Sequence, residues 1–184
     1  MLKLVPMKKI FPYFLIAIIL LSCSEGKKPV EDYGKKFAQI IKNGKGIARG
    51  IVLGLKMSQV KEAEAAKPKD EQENYLYYEF NTDTGEFYTV EYNFDERGLY
   101  EMRVDAYFIK EADARTLYES FMSYYTDVYG KIEDYYGFSA WDIKQENKNF
   151  RIELADESAE YRQGKFSLLI YYSIENPPLK KKNP

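Results

Sequence analysis

Strict alternation of apolar and polar side chains marks two neighbouring stretches of the chain. From Glu86 to Phe94, the residues Tyr88, Val90, Tyr92 and Phe94 alternate with Phe87, Thr89, Glu91 and Asn93. From Leu99 to Phe108, Tyr100, Met102, Val104, Ala106 and Phe108 alternate with Glu101, Arg103, Asp105 and Tyr107. A period of two over that length predicts strands with one apolar face. Asn74 to Phe80 repeats the pattern through Leu76, Tyr78 and Phe80. The connections Asp83-Thr84-Gly85 and Asp95-Glu96-Arg97-Gly98 are short and contain glycine, so the three strands read as an antiparallel meander.

A helical period follows. Between Glu111 and Tyr129, apolar residues fall at Ala114, Leu117, Phe121, Tyr124 or Tyr125, and Val128. Glu111 and Asp113 suit the positive end of the helix dipole, and Gly130 supplies a C-terminal cap. Weaker helical patterns place Tyr33, Phe37, Ile40 and Ile41 on one face of 30–43, and Met57, Val60 and Ala63 on one face of 57–66. Pro68 stops the latter, and Lys67 to Glu73 reads as a charged loop. Three more strands are expected over 140–145, 148–156 and 165–174, the last with Phe166, Leu168, Ile170, Tyr172 and Ile174 on one face. The order predicts an α+β fold: tandem helix plus three-stranded antiparallel meander repeats, with the helices packed on one face of the sheet. The other face then has no covering element of its own.

The N-terminal segment has a different character. Lys3, Lys8 and Lys9 precede an apolar run from Ile10 to Leu21, which ends in Leu20-Leu21-Ser22-Cys23. A run of about a dozen residues, interrupted by Pro12, is short of the roughly 20 that a spanning helix needs. This favours a cleaved signal over a retained anchor. The arrangement resembles a bacterial lipoprotein signal with its lipobox. That resemblance implies cleavage before Cys23, a diacylglycerol on its thiol, an acylated amino terminus, and firm attachment to a membrane. Ser24, again by resemblance, is compatible with sorting to the outer membrane, on its periplasmic or surface face. The expected organisation is a signal peptide at 1–22, a lipidated tether and short helix at 23–46, an α+β domain of two α-β-β-β halves at 47–176, and a polar tail at 177–184.

Charge and composition narrow the chemistry. Loss of residues 1–22 removes three lysines and no acid, moving the net charge from −2 to −5. An acidic body argues against nucleic acid as a partner. The chain has no histidine, and Cys23 is its only cysteine. Ser-His-Asp and Cys-His catalysis and His/Cys zinc sites are thereby excluded. No closely spaced calcium-binding carboxylate run or phosphate-cradling glycine loop is present, so no cofactor is expected. Carboxylate chemistry, for instance on glycans, remains as the enzymatic alternative.

Short motifs point to a fold family. The run Leu53-Gly54-Leu55-Lys56-Met57-Ser58-Gln59-Val60 resembles the Gly-Met-Ser/Thr-x-x-x-Val element of β-lactamase-inhibitor-protein-like repeats, a fold shared by the SmpA/OmlA lipoproteins that assist outer-membrane barrel assembly. Val90 to Asp95, with Gly98-Leu99-Tyr100, is similar to that fold's strand–turn–strand. Tyr129-Gly130-Lys131 followed by Trp141 resembles the close of a helix and the next strand in related lipoproteins. The resemblance implies the same α+β architecture over 47–175, and either a protein-binding, even inhibitory, role or one as an accessory of outer-membrane assembly. Lys56 stands where the family has a capping Ser or Thr, and the Gly-x-Pro common after the first helix of the assembly lipoproteins is absent, which favours the binding role.

The aromatic content suggests where binding would occur. Of 18 tyrosines, Tyr75, Tyr77 and Tyr107 fall opposite the expected helices, with Phe87 and Trp141, and with Glu91 and Arg103 interspersed. Rigid rings among charges are the composition of protein-binding surfaces. These seven residues are the expected contact set for an unidentified protein or peptide.

Overall fold

Apolar residues from six strands converge on one face of a single sheet. The computed structural model describes residues 28–42, 45–82, 85–135, 138–145 and 148–173. The signal segment, Cys23 and the tail lie outside them, as do Asp83 and Thr84 of the first turn. The protein is α+β. After a 3-10 turn at Val30–Tyr33 come α1 (Lys35–Ile41) and α2 (Met57–Glu64). Strands β1 (Asp70–Gln72), β2 (Tyr75–Asn81), β3 (Phe87–Asp95) and β4 (Gly98–Phe108) lead to α3 (Glu111–Tyr129). The chain closes with β5 (Glu133–Tyr135), β6 (Phe138–Gln145), β7 (Lys148–Asp156), α4 (Ser158–Tyr161) and β8 (Gly164–Tyr172). All strands pair antiparallel in the order β1-β2-β3-β4-β8-β7-β6-β5. Two meanders thus share one sheet through β4 and β8.

Each meander has four strands, where alternation predicted three. The additions, β1 and β5, carry Asp70-Glu71-Gln72 and Glu133-Asp134-Tyr135, which have no apolar period to read. Both are edge strands, and a short charged edge such as β1 discourages pairing with another chain. A register shift after Asn93 leaves Tyr100 without a partner between Leu99 and Glu101. This bulge returns Leu99 to the dry face in place of Tyr100.

The dry face includes Leu76, Val90, Tyr92, Val104, Leu168 and Ile152, each fully buried. Helix α3 packs over β4, β8, β7 and β6, and Phe121 stacks on Phe166 at 4.9 Å. Phe37 of α1 meets Phe121 at 4.7 Å and Tyr124 at 5.0 Å between ring centroids. Helix α1, the short helix expected before residue 47, therefore belongs to the core. Seven residues cannot hold a helix alone in water, so α1 depends on this burial. Helix α4 departs from the expected one-sided packing. It turns toward the opposite face, where the Tyr161 ring lies 3.8 Å from Lys165 Nζ.

A buried charge network fixes the remaining cover. Arg49 Nε donates to Glu64 Oε1 at 2.6 Å and its Nη2 donates to Oε2 at 2.7 Å, with both side chains excluded from water. Arg49 Nη1 donates to the Ile40 carbonyl at 2.7 Å, while Lys42 and the Tyr92 hydroxyl also donate to Glu64. One guanidinium thus ties α1, the 45–56 segment, α2 and β3 together. The inward face of α2 is Val60 and Glu64, one turn apart, and the expected Ala63 is exposed. The α2 N-cap is Lys56, whose ammonium cannot accept a hydrogen bond. Gln59 Oε1 accepts from its backbone N–H at 2.9 Å.

Burial alone would raise the Glu64 pKa, but the Arg49 hydrogen bonds and charge, helped by Lys42 and Tyr92, hold it below the ordinary value. A depressed carboxylate stabilises the fold above its unfolded pKa, and this is lost as pH falls through the folded one. Glu64→Gln is accordingly expected to flatten the decline in denaturation midpoint below about pH 4.5, measured by circular dichroism against wild type. Arg49→Met leaves the carboxylate buried without its main partner. Urea denaturation should register a loss of about 3–5 kcal/mol.

Candidate functional site on the open sheet face

Alternation that buries one face of β2, β3 and β4 delivers the other to solvent. The ladder sets Tyr77, Glu91 and Arg103 in one cross-strand row, Tyr75 beside Asn93 and Glu101 in the next, and Phe87 beside Tyr107. Six of the seven expected contact residues are thereby gathered on one surface. Phe87 and Tyr107 stack with centroids 4.7 Å apart and planes within 17°, and Phe87 remains 38% exposed. The row continues across β8 and β7 through Leu169 and Glu153.

Trp141 does not join them. Its cross-strand neighbour is Ile152, itself opposite Ile170, on the helix side of the sheet. It is 2% exposed, packs 5.6 Å from the Tyr125 ring, and donates Nε1–H to the Gly130 carbonyl at 3.1 Å. The parity was legible: Ile143 lies two residues on, and an apolar i, i+2 pair marks the inward face. The tyrosines Tyr124 and Tyr125 are core residues, as their helical spacing implied.

The face is acidic along these strands, with Glu79, Glu91, Glu101 and Asp105 against Arg103. Burial and then the charge of Glu91 push the Tyr75 hydroxyl up to about 12. Burial followed by Glu79 and Glu91 raises Tyr77 as well. Both phenols are therefore neutral donors at physiological pH, beside carboxylates that accept. Arg103 Nε donates to Asp105 Oδ2 at 3.0 Å along its own strand, although Glu91 lies directly across from it.

One corner of this face is closed. Lys165, 4% exposed, lies 2.8 Å from Glu157 Oε2 and 3.8 Å from Asp105 Oδ1, beneath the Tyr161 ring. Burial alone would lower the lysine, but the Glu157 hydrogen bond, Tyr161 and Asp105 outweigh it and hold the group above its ordinary range. Thr89, Asp105 and Ser167 are buried there too. This corner leaves no trace in the strand pattern. Lys165 alternates with Phe166 and so belonged to the open face on pattern alone, but the cover from α4 had no periodic signal. Among the described residues, no His, Cys, Asp and Glu group is placed to hold a metal ion.

No protein-family profile, curated protein or solved structure matches this chain. As the chain's single tryptophan, Trp141 provides a check on the face assignment. Its emission should be blue-shifted and resist iodide quenching in the native state, and quenching as strong as in urea would return Trp141 to the solvent face.

Proposed function

We propose that this is a lipid-anchored protein of the bacterial envelope, held at the outer membrane through acylated Cys23, whose open sheet face binds a protein or peptide partner without catalysing a reaction. The same reading takes the two meanders as tandem copies of one helix-plus-meander unit, with α1 and α3 over the dry face. Support for that comes from the strand order, which runs symmetrically outward from β4 and β8.

The observation that carries the binding role is the clustering of Tyr75, Tyr77, Phe87 and Tyr107 with Glu91 and Arg103 on one side of the sheet. Aromatic rings contribute large contact area at little entropic cost, and a strand-built surface is already ordered before binding. An excess of carboxylates over the single guanidinium of β2–β4 favours a basic partner, whose approach is then weakened by salt. The described carboxylates of this face form ion pairs and hydrogen bonds along a surface of neutral phenols. This supports recognition better than acid–base work on a glycan.

The test is photo-crosslinking in intact cells from a reactive residue placed at Asn81, beside the aromatic set. Tyr77→Ala combined with Tyr107→Ala should lower recovery of the crosslinked partner by about tenfold or more, given typical hot-spot values. Undiminished recovery from a variant with native circular dichroism would sink the open face as the site.

A further inference from the structure

At the end of the sheet remote from α4, a cavity of about 300 Å3 opens between the 46–53 segment and the ends of α3, β7 and β8. Ile47, Val52 and Leu53 form one wall; Tyr129, Phe150 and Tyr172 form the other. Among the described residues, no charged side chain lines it. Leu53 and Phe150 are buried, whereas Val52 is 42% exposed at the rim. The wall is braced. Ile47 N–H donates to the Ile51 carbonyl at 2.8 Å, Arg49 N–H to Ile41 at 2.9 Å, and Gly54 N–H to Leu99 at 2.7 Å. A Cβ at Gly46 would lie 2.3 Å from the Ile51 carbonyl oxygen, so the turn admits only glycine. A braced cavity of this size with mostly apolar and aromatic walls suits an apolar ligand.

The position of the N-terminal segment indicates which ligand. Lys28 Nζ lies 2.9 Å from Asp127 Oδ2, and the Tyr33 hydroxyl donates to the same atom at 2.8 Å. Asp127 is in the last turn of α3, two residues before Tyr129 of the cavity wall. Five residues carry the chain from Lys28 back to Cys23, a reach of at most about 17 Å. A lipid on Cys23 would therefore hold this end of the molecule at the bilayer, with exposed Lys45 and Lys131 flanking the cavity residues Gly46 and Tyr129 in the chain.

We propose that this cavity is an acyl-chain site filled by a phospholipid of the bilayer to which the protein is tethered. The proposal rests on the lipid-anchor reading for the source of the chain, but its chemistry is set by the cavity. The chain enters between Val52 and Tyr172, and the protein is oriented with this end toward the membrane.

Lauric acid titrated into the full chain carrying Cys23→Ser should produce saturable shifts in the methyl resonances of Ile47, Val52 and Leu53. Val52→Trp should weaken that binding by about tenfold or more, because the indole takes the volume of several methylenes. Glu62→Gln, on the exposed side of α2, should leave it unchanged. Silent methyl groups, or equal affinity in Val52→Trp with a native spectrum, would overturn the site. Vesicles of phosphatidylethanolamine and phosphatidylglycerol should shift the same methyl groups. If vesicles are silent and only the wild-type chain resists lauric acid, the occupant is the protein's own acyl group and the bilayer source is overturned. The intact mass of the wild-type chain judges the anchor separately: a mass without the lipid refutes the anchor reading, while the lauric acid arm still decides the cavity.

Discussion

Arg49 and Glu64 meet where neither reaches water, and the cover over the first meander depends on that meeting. A guanidinium and a carboxylate are costly to bury singly, so each holds the other in place once the hydrophobic face has closed over them. The bidentate geometry leaves little freedom of orientation. Because Arg49 also donates to Ile40, and Glu64 also accepts from Lys42 and Tyr92, one ion pair sets the placement of α1, the 45–56 segment, α2 and β3. Arg49 itself adopts a left-handed backbone with φ of 57°, a conformation that costs a non-glycine residue energy unless surrounding contacts impose it. The turn so formed presents Ile47, Val52 and Leu53 to the cavity.

The two faces of the sheet solve different physical problems. One is dry, and α3 with α1 covers it through aromatic contacts that run from Tyr33 through Phe37 and Phe121 to Phe166. The other remains open across β2 to β4, where rings and carboxylates share the surface, and closes only at α4. There Lys165 is buried against Asp105 and Glu157, so the corner is held by charge instead of apolar packing. The contrast confines the accessible aromatic surface to one side of the sheet.

Strand parity was the most informative part of the sequence. It placed Tyr75, Tyr77, Phe87, Glu91, Arg103 and Tyr107 together because a ladder with a buried face has only one register that keeps its apolar set dry. The same logic applied to Ile143 would have kept Trp141 inward. The period of α3 likewise marked its span and the inward Ala114, Leu117 and Phe121, while both Tyr124 and Tyr125 are buried and Val128 is half-buried. What escaped were elements without a period: β1 and β5, three residues each with no apolar alternation, and α4, one short turn between two strands. The bulge at Tyr100 escaped as well, since an extra residue leaves no compositional trace.

The sequence by itself determined that the chain is α+β, where its long strands and its long helix lie, which positions of β2 to β4 share a face, and that histidine and thiol chemistry are excluded from its described domain. Those follow from local periodicity and composition, which need no knowledge of distant neighbours. Tertiary structure alone decided that both meanders join through β4 and β8, that α1 belongs to the core, and that Arg49 finds Glu64 fifteen residues away. Each of these is a long-range pairing whose energy depends on burial, and burial exists only after the chain has folded.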